Sequence, residues 1–412
     1  MGKRLVVCCD GTWKSLLGAA DTSGLTNVAR LFLSVPDRAP DGTRQLVRYI
    51  PGVGTGNLER VRGGMFGYGL SRRVKQAYRF LVENYEPGDE LWLFGFSRGA
   101  FTARSTAGLV RQASILRAGE AGRIGEAYRL YRSRQNRHHP DAPAARRFRA
   151  RHSHPSVGIH FIGVWGTVGA LGFPAASWSP LRVLNAPWTF HDTTLSSSVA
   201  HARHAVALDE CRGPFRPTLW RRSDRAQESE QTLEQIWFCG VHSDVGGGVQ
   251  AAAAERARAA GLSQVAFEWM LREAQTAGLA VDWRLCPRPG DTPIGPADWM
   301  VDRATTARLG GQDPRAALAA LAVAGDPLGP GHESRRGLYR LMRPHRRAPL
   351  PYCDAAPPEG DGAVFPGQRV ADSARARWAS DAAYRARSAA LDAYLKAGGA
   401  VSPVGRAPWD RA

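Results

Sequence analysis

The segment that most constrains this chain is Gly95-Phe96-Ser97-Arg98-Gly99, a G-x-S-x-G string. It follows an apolar run, Glu90–Phe94, and opens an Ala- and Thr-rich stretch, Ala100–Val110. A strand that turns sharply into a helix at a serine holds that residue in a strained conformation with its hydroxyl exposed. Strand and helix then pass within contact distance, so small residues are needed at Gly95 and Gly99. The turn also aims the Arg98 backbone N–H, at the positive end of the helix, toward the place where an oxyanion would form. Ser97 is therefore the expected nucleophile.

Five apolar runs read as buried parallel strands: Arg4–Asp10, Gln45–Ile50, Glu90–Phe96, Val157–Trp165 and Gln235–Val241. Between the second and third, Val74, Ala77, Tyr78, Leu81, Val82 and Tyr85 recur at the spacing of one helical face, predicting a helix over Ser71–Tyr85. A second apolar helix is expected over Leu262–Ala277. Alternating strands and helices of these lengths imply an α/β chain with a mostly parallel sheet and helices on both faces. The expected division is an α/β-hydrolase-like catalytic domain over 1–285 and an accessory region over 286–412 packed on the core. Residues 114–156 interrupt the first unit as a basic, lid-like insertion carrying Arg146, Arg147, Arg149 and Arg151.

A second oxyanion donor is expected from the turn after the first strand, at Gly11 or Thr12, where a glycine lets the backbone approach a ligand. The fifth apolar run leads into His242-Ser243-Asp244-Val245-Gly246-Gly247-Gly248. A histidine at a strand's C-terminal end, downstream of the serine, suits the general base, because imidazole titrates in the useful range. The expected Ser97–His242 separation is about 2.6–3.5 Å.

Composition narrows the function classes. The chain has 55 Lys+Arg against 37 Asp+Glu, a formal net charge of +18, and most of the positive charge is arginine. Such a field draws phosphates, including those of anionic membranes; the alternative is an arginine-rich surface without a specific partner. No recognition helix or RNA-binding signature accompanies the charge, so nucleic acid is not the expected partner. None of the six cysteines forms a C-x-x-C pair, which argues against a zinc site or disulfide framework. No apolar run reaches the roughly 18 residues of a membrane span. A cytoplasmic protein is expected, with export by a signal-independent system left open, and with no metal or organic cofactor.

Several segments together resemble the hydrolase domain of type VI secretion phospholipase effectors and their bacterial relatives. They are Val6–Trp13, Thr26-Asn27-Val28, Gly52-Val53-Gly54-Thr55, Gly95–Ala100, Phe161–Gly172, Ala200–Phe215 and Trp237–Gly248. The resemblance implies ester hydrolysis, with glycerophospholipids as substrates, Ser97 on the family nucleophile and His242 on the family histidine. It also exposes a departure. Family members read Trp-Asp-Thr-Val after the fourth strand, and the aspartate resembles the triad acid; this chain reads Trp165-Gly166-Thr167-Val168. Asp192 and Asp244 are the candidate replacements by order along the chain. Two functions follow: a serine esterase or phospholipase-like enzyme acting on a lipid or small ester, or an impaired hydrolase that binds an acidic lipid or protein. If the acid is simply missing, Gly166→Asp is expected to raise hydrolysis about 10²-fold. The four insertion arginines are expected to rim the mouth of the site.

Overall fold

Apolar from Leu5 onward and buried there, β1 (Arg4–Cys9) is covered on both faces, as a central parallel strand must be. The computed structural model describes residues 2–11, 25–52, 66–133, 135–168, 194–221, 230–248, 253–283, 328, 331 and 368–404. Beside β1 lie β2 (Gln45–Ile50), β3 (Glu90–Phe96), β4 (Ile159–Trp165), β5 (Val199–Ala207), β6 (Thr232–Phe238), β7 (Gln368–Ala371) and β8 (Val401–Ser402). They form one sheet in the order β2-β1-β3-β4-β5-β6-β7-β8, and each adjacent pair is parallel.

Strand side chains alternate between two cores, as a period of two requires. Leu5, Val7, Leu91 and Leu93 face one core, shared with α2 (Phe66–Asn84), α3 (Arg98–Ala113), α4 (Ile124–Arg132) and α5 (Pro143–His152). Val6, Cys8, Trp92 and Phe94 face the other, with α1 (Asn27–Ser34) and α7 (Ala253–Thr276), whose Phe267, Trp269 and Met270 are buried. Between β6 and α7 a short helix, α6 (His242–Gly246), begins at the expected base.

Two expectations about organisation are corrected. The described part of the C-terminal region, 368–404, is not only an outer layer: β7 and β8 extend the same sheet, and Trp237 Nε1 donates to Gln368 Oε1 at 3.0 Å. Three helices, α8 (Asp372–Ser380), α9 (Ala382–Arg387) and α10 (Ala389–Lys396), lie between β7 and β8.

The second correction concerns the insertion. Because α3 starts where β3 ends and runs back along the sheet, its last residue lies roughly 22 Å from its first. The insertion is pinned to that far end. Arg149 Nη1 donates to Gln112 O at 3.0 Å, Leu116 bridges Ser153, and the His154 N–H donates to Ile115 O at 2.7 Å. Arg146, Arg147, Arg149 and Arg151 on α5 therefore sit at the N-terminal edge of the sheet, away from Ser97, and do not rim its site.

Candidate active site

The elbow has the strained form that its sequence requires. Ser97 adopts φ 56° and ψ −119°, caps no backbone amide of α3 with its hydroxyl, and is 8% exposed. Its N–H donates to Trp165 O at 3.0 Å, which ties the turn to the end of β4. A Cβ on Gly99 would lie 2.0 Å from Cys9 O, and one on Gly95 2.5 Å from Gly99 O. Both obstacles are backbone, so neither position accepts a side chain without moving a strand or the helix. Arg98 occupies the first helical position, whose N–H has no acceptor within the helix.

His242 is buried at the same edge, with its ring centroid 4.8 Å from that of Phe96 and 5.1 Å from that of Phe215. It also lies against Gly166, where φ is +48° and a Cβ would come within 2.7 Å of His242 Nδ1 and 2.8 Å of Cε1. Serine, histidine and the missing-acid position thus meet at the ends of β3, β6 and β4. Among the described residues no hydrogen bond joins the Ser97 hydroxyl to the imidazole.

The Gly166 geometry changes the expected effect of restoring the acid. The imidazole fills the space that an aspartate side chain would enter, and the backbone is left-handed. Gly166→Asp is therefore expected to give no gain in ester hydrolysis and to lose about 1–3 kcal/mol of stability. Turnover and a melting curve on the purified variant check both halves. A 10²-fold rise would instead mean that the ring swings aside and uses the new carboxylate.

A carboxylate does stand near the histidine: Glu210, which was not among the sequence candidates. It is fully buried, accepts the His242 backbone N–H at 3.3 Å, and binds Arg212 through both oxygens, Nε to Oε1 at 2.9 Å and Nη2 to Oε2 at 2.8 Å. Burial pushes its carboxyl up, but the Arg212 side-chain bonds and charge, the Arg212 backbone N–H and the charge of His242 outweigh this and hold it at about 2. Arg212 in turn stacks over Phe215, 3.6 Å from the ring centroid, and Phe215 meets the imidazole edge-on. The one sequence signal was the Asp209-Glu210-Cys211-Arg212 string just after a strand, whose pairing no local pattern reveals.

Other site expectations fare differently. The Gly11 N–H donates to Asp10 Oδ1 at 2.6 Å, so in this state it is not offered to an oxyanion. Asp10 is a structural hub, accepting Thr26 Oγ1 at 2.8 Å and Tyr49 Oη at 2.5 Å. Asp244 is buried and its Oδ2 accepts the Val241 N–H at 3.0 Å, bracing the short helix that carries His242. Thr12 and Asp192 lie outside the described residues. Asn27 Nδ2 donates to Val245 O and Ser263 O, at 2.9 and 3.0 Å, locking α1 onto the histidine helix. Behind the same helix, Tyr384 on α9 donates to Asp209 at 3.0 Å, and Asp209 Oδ2 accepts the Gly240 N–H at 2.6 Å.

The chain is similar to several known proteins. An uncharacterized protein of Saccharomyces cerevisiae is 29% identical over 236 residues, 52% of this chain and 32% of that protein, so this chain spans about a third of that relative's length. A solved structure of the Tle1 effector bound to the VgrG spike of the type 6 secretion system is 15% identical, with a TM-score of 0.39, over 78% of this chain and 84% of that one. An uncharacterized protein from Pseudomonas aeruginosa is 19% identical, with a TM-score of 0.42, over 76% of this chain and 51% of that one. The family described as type VI secretion phospholipase effector, Tle1-like, catalytic domain, matches residues 3–273, the span that holds Ser97, Gly166, Glu210 and His242. The chain belongs to that Tle1-like catalytic-domain family.

Proposed function

We propose that the protein is a serine-dependent carboxylic ester hydrolase of phospholipase type, acting through an acyl-enzyme on Ser97. The observation that carries this reading is the elbow: a left-handed serine between two glycines whose close backbone contacts admit no side chain. That strain is costly and persists where the surroundings hold it for a purpose. Ser97 Oγ attacks the ester carbonyl carbon, its proton passes to His242, and the carbonyl electron pair becomes an oxyanion facing the Arg98 N–H. Collapse re-forms the carbonyl, breaks the bond to the alcohol, and returns the proton from His242 to the leaving oxygen. Water then repeats the sequence on the acyl-enzyme and releases the carboxylic acid. Serine and histidine must close to hydrogen-bonding distance on substrate binding, as catalytic contacts that are long in an empty site commonly do. Family membership supports a lipid substrate, and the formal net charge of +18 favours contact with an anionic membrane surface.

In this scheme Glu210 stabilises the imidazolium by charge and holds the His242 backbone. Glu210→Gln is expected to lower kcat/KM about 10–10²-fold. It should also move the acid limb of the pH profile to lower pH, because losing a nearby negative charge disfavours protonated imidazole. A profile of unchanged shape and height would remove Glu210 from the mechanism.

The competing reading is a binding protein that has lost catalysis, favoured by Gly166 and by the open Ser97–His242 pair. A fluorophosphonate probe separates the two, since it labels a serine only where a base activates it. Labelling of the wild type supports the enzyme; a wild type left unlabelled and inactive on short-chain esters supports the binding protein.

A further inference from the structure

At the sheet edge opposite Ser97, the C-terminal end of α3, the helix α5 and the turn before β4 border a half-open cavity of about 460 Å³. That is the size of a small-molecule site. Arg111, Arg117 and Arg149 line it from three different segments, with His154, Ser114 and Ser156 between them. Among the described residues none of these arginines forms an ion pair. Arg117 Nη1 donates to Arg151 O, and Arg149 Nη1 to the Gln112 and Pro140 carbonyls, which orients the guanidinium groups without neutralising them. Burial, then Arg146 and Arg111, lower the Arg149 pKa, against a raising effect of Asp141. Burial and then Arg117 likewise hold His154 below its ordinary value. The site is therefore built at an electrostatic cost that a bound anion would relieve.

Backbone strain points to the same place. Three non-glycine residues among those described have left-handed backbones: Ser97, Ser114 and Ser156. The first is the elbow, and the other two line this cavity. Such conformations gather where a function needs a fixed shape.

We infer that this cavity is a second ligand site, separate from the Ser97 chemistry, that takes a phosphate group with an organic substituent through Arg111, Arg117 and Arg149. Guanidinium groups converging from separate segments suit the several oxygens of a phosphate, and the volume exceeds what a bare phosphate fills. The same phosphate chemistry reaches the protein from two sources, a soluble phosphate ester or an anionic lipid headgroup.

The test titrates the full chain with glycerol 3-phosphate and, separately, with phosphatidylcholine vesicles with and without phosphatidylglycerol. The wild type is compared with Arg111→Gln, with the Arg111→Gln/Arg117→Gln pair and with Ser97→Ala. The Arg111 side chain makes no hydrogen bond among the described residues, so its single change keeps the test valid if the pair unfolds. Each arginine removed is expected to weaken binding about tenfold, while Ser97→Ala binds as the wild type and the paired variant hydrolyses short-chain esters as the wild type. Loss confined to glycerol 3-phosphate identifies a soluble ligand, and loss on phosphatidylglycerol vesicles identifies a headgroup; either supports the site. Wild-type protein that binds neither probe, or arginine variants that bind both as well as the wild type, overturns it.

Discussion

Replacing Ser97 by alanine is expected to lower ester hydrolysis about 10⁴-fold or more, to the residue of activity that binding and oxyanion donors sustain alone. The same change should remove labelling by a fluorophosphonate probe. The fold should survive, because the Ser97 hydroxyl caps no backbone amide of its helix. Ser97→Gly sharpens the result. It removes the same nucleophile but relieves a φ of 56°, so it should be inactive and yet more stable than the alanine variant by about 1 kcal/mol. Turnover on a short-chain ester and a pair of melting curves measure both. If Ser97→Ala keeps wild-type turnover, the nucleophile lies elsewhere and the proposed mechanism is lost.

The largest stability effect is expected at Gly99. An alanine methyl there would stand 2.0 Å from Cys9 O and 2.5 Å from Asp10 O, atoms of the central strand β1 and the turn leaving it. No side chain can swing away to make room, so α3 must lift from the sheet, and the core it shares with Leu5, Val7, Leu91 and Leu93 bears the cost. Gly99→Ala should lose more than about 4 kcal/mol or fail to accumulate as folded protein. Gly119→Ala, whose Cβ would meet nothing within 4 Å, is the matched control and should melt like the wild type. Denaturant unfolding of the two variants decides the matter. A Gly99→Ala protein as stable as the control would show that helix and strand do not pass as closely as described.

Features set by local backbone sterics are legible in the sequence. Glu90–Phe96 and the glycine-flanked serine lie within one strand, one turn and one helix, so backbone sterics inside a short stretch of chain determine the elbow. Buried central strands β1, β3 and β4 announce themselves because both faces must be apolar. β5 escaped because His201, Arg203 and His204 interrupt its apolar pattern. Arg203 is buried against Glu273 at 2.5 Å, and His204 accepts the Thr167 N–H at 3.1 Å. Those partners are supplied by α7 and by the turn after β4, so nothing within the strand reveals them. β7 and β8, at four and two residues, are too short for any periodicity to show.

The sequence by itself determined the parallel α/β plan, the elbow at Ser97 and the histidine at the end of β6, since each follows from the order of residues within one or two elements. Tertiary structure alone decided how the acid side of the site is arranged. Glu210 reaches His242 across 32 residues, and Gly166 meets the same ring from another strand, because β4, β5 and β6 end side by side at one edge. It also sent the arginine-rich insertion to the opposite edge, because α3 runs the length of the sheet before the insertion begins. Sequence patterns report which faces are buried; which buried faces meet depends on the lengths and directions of the elements between them.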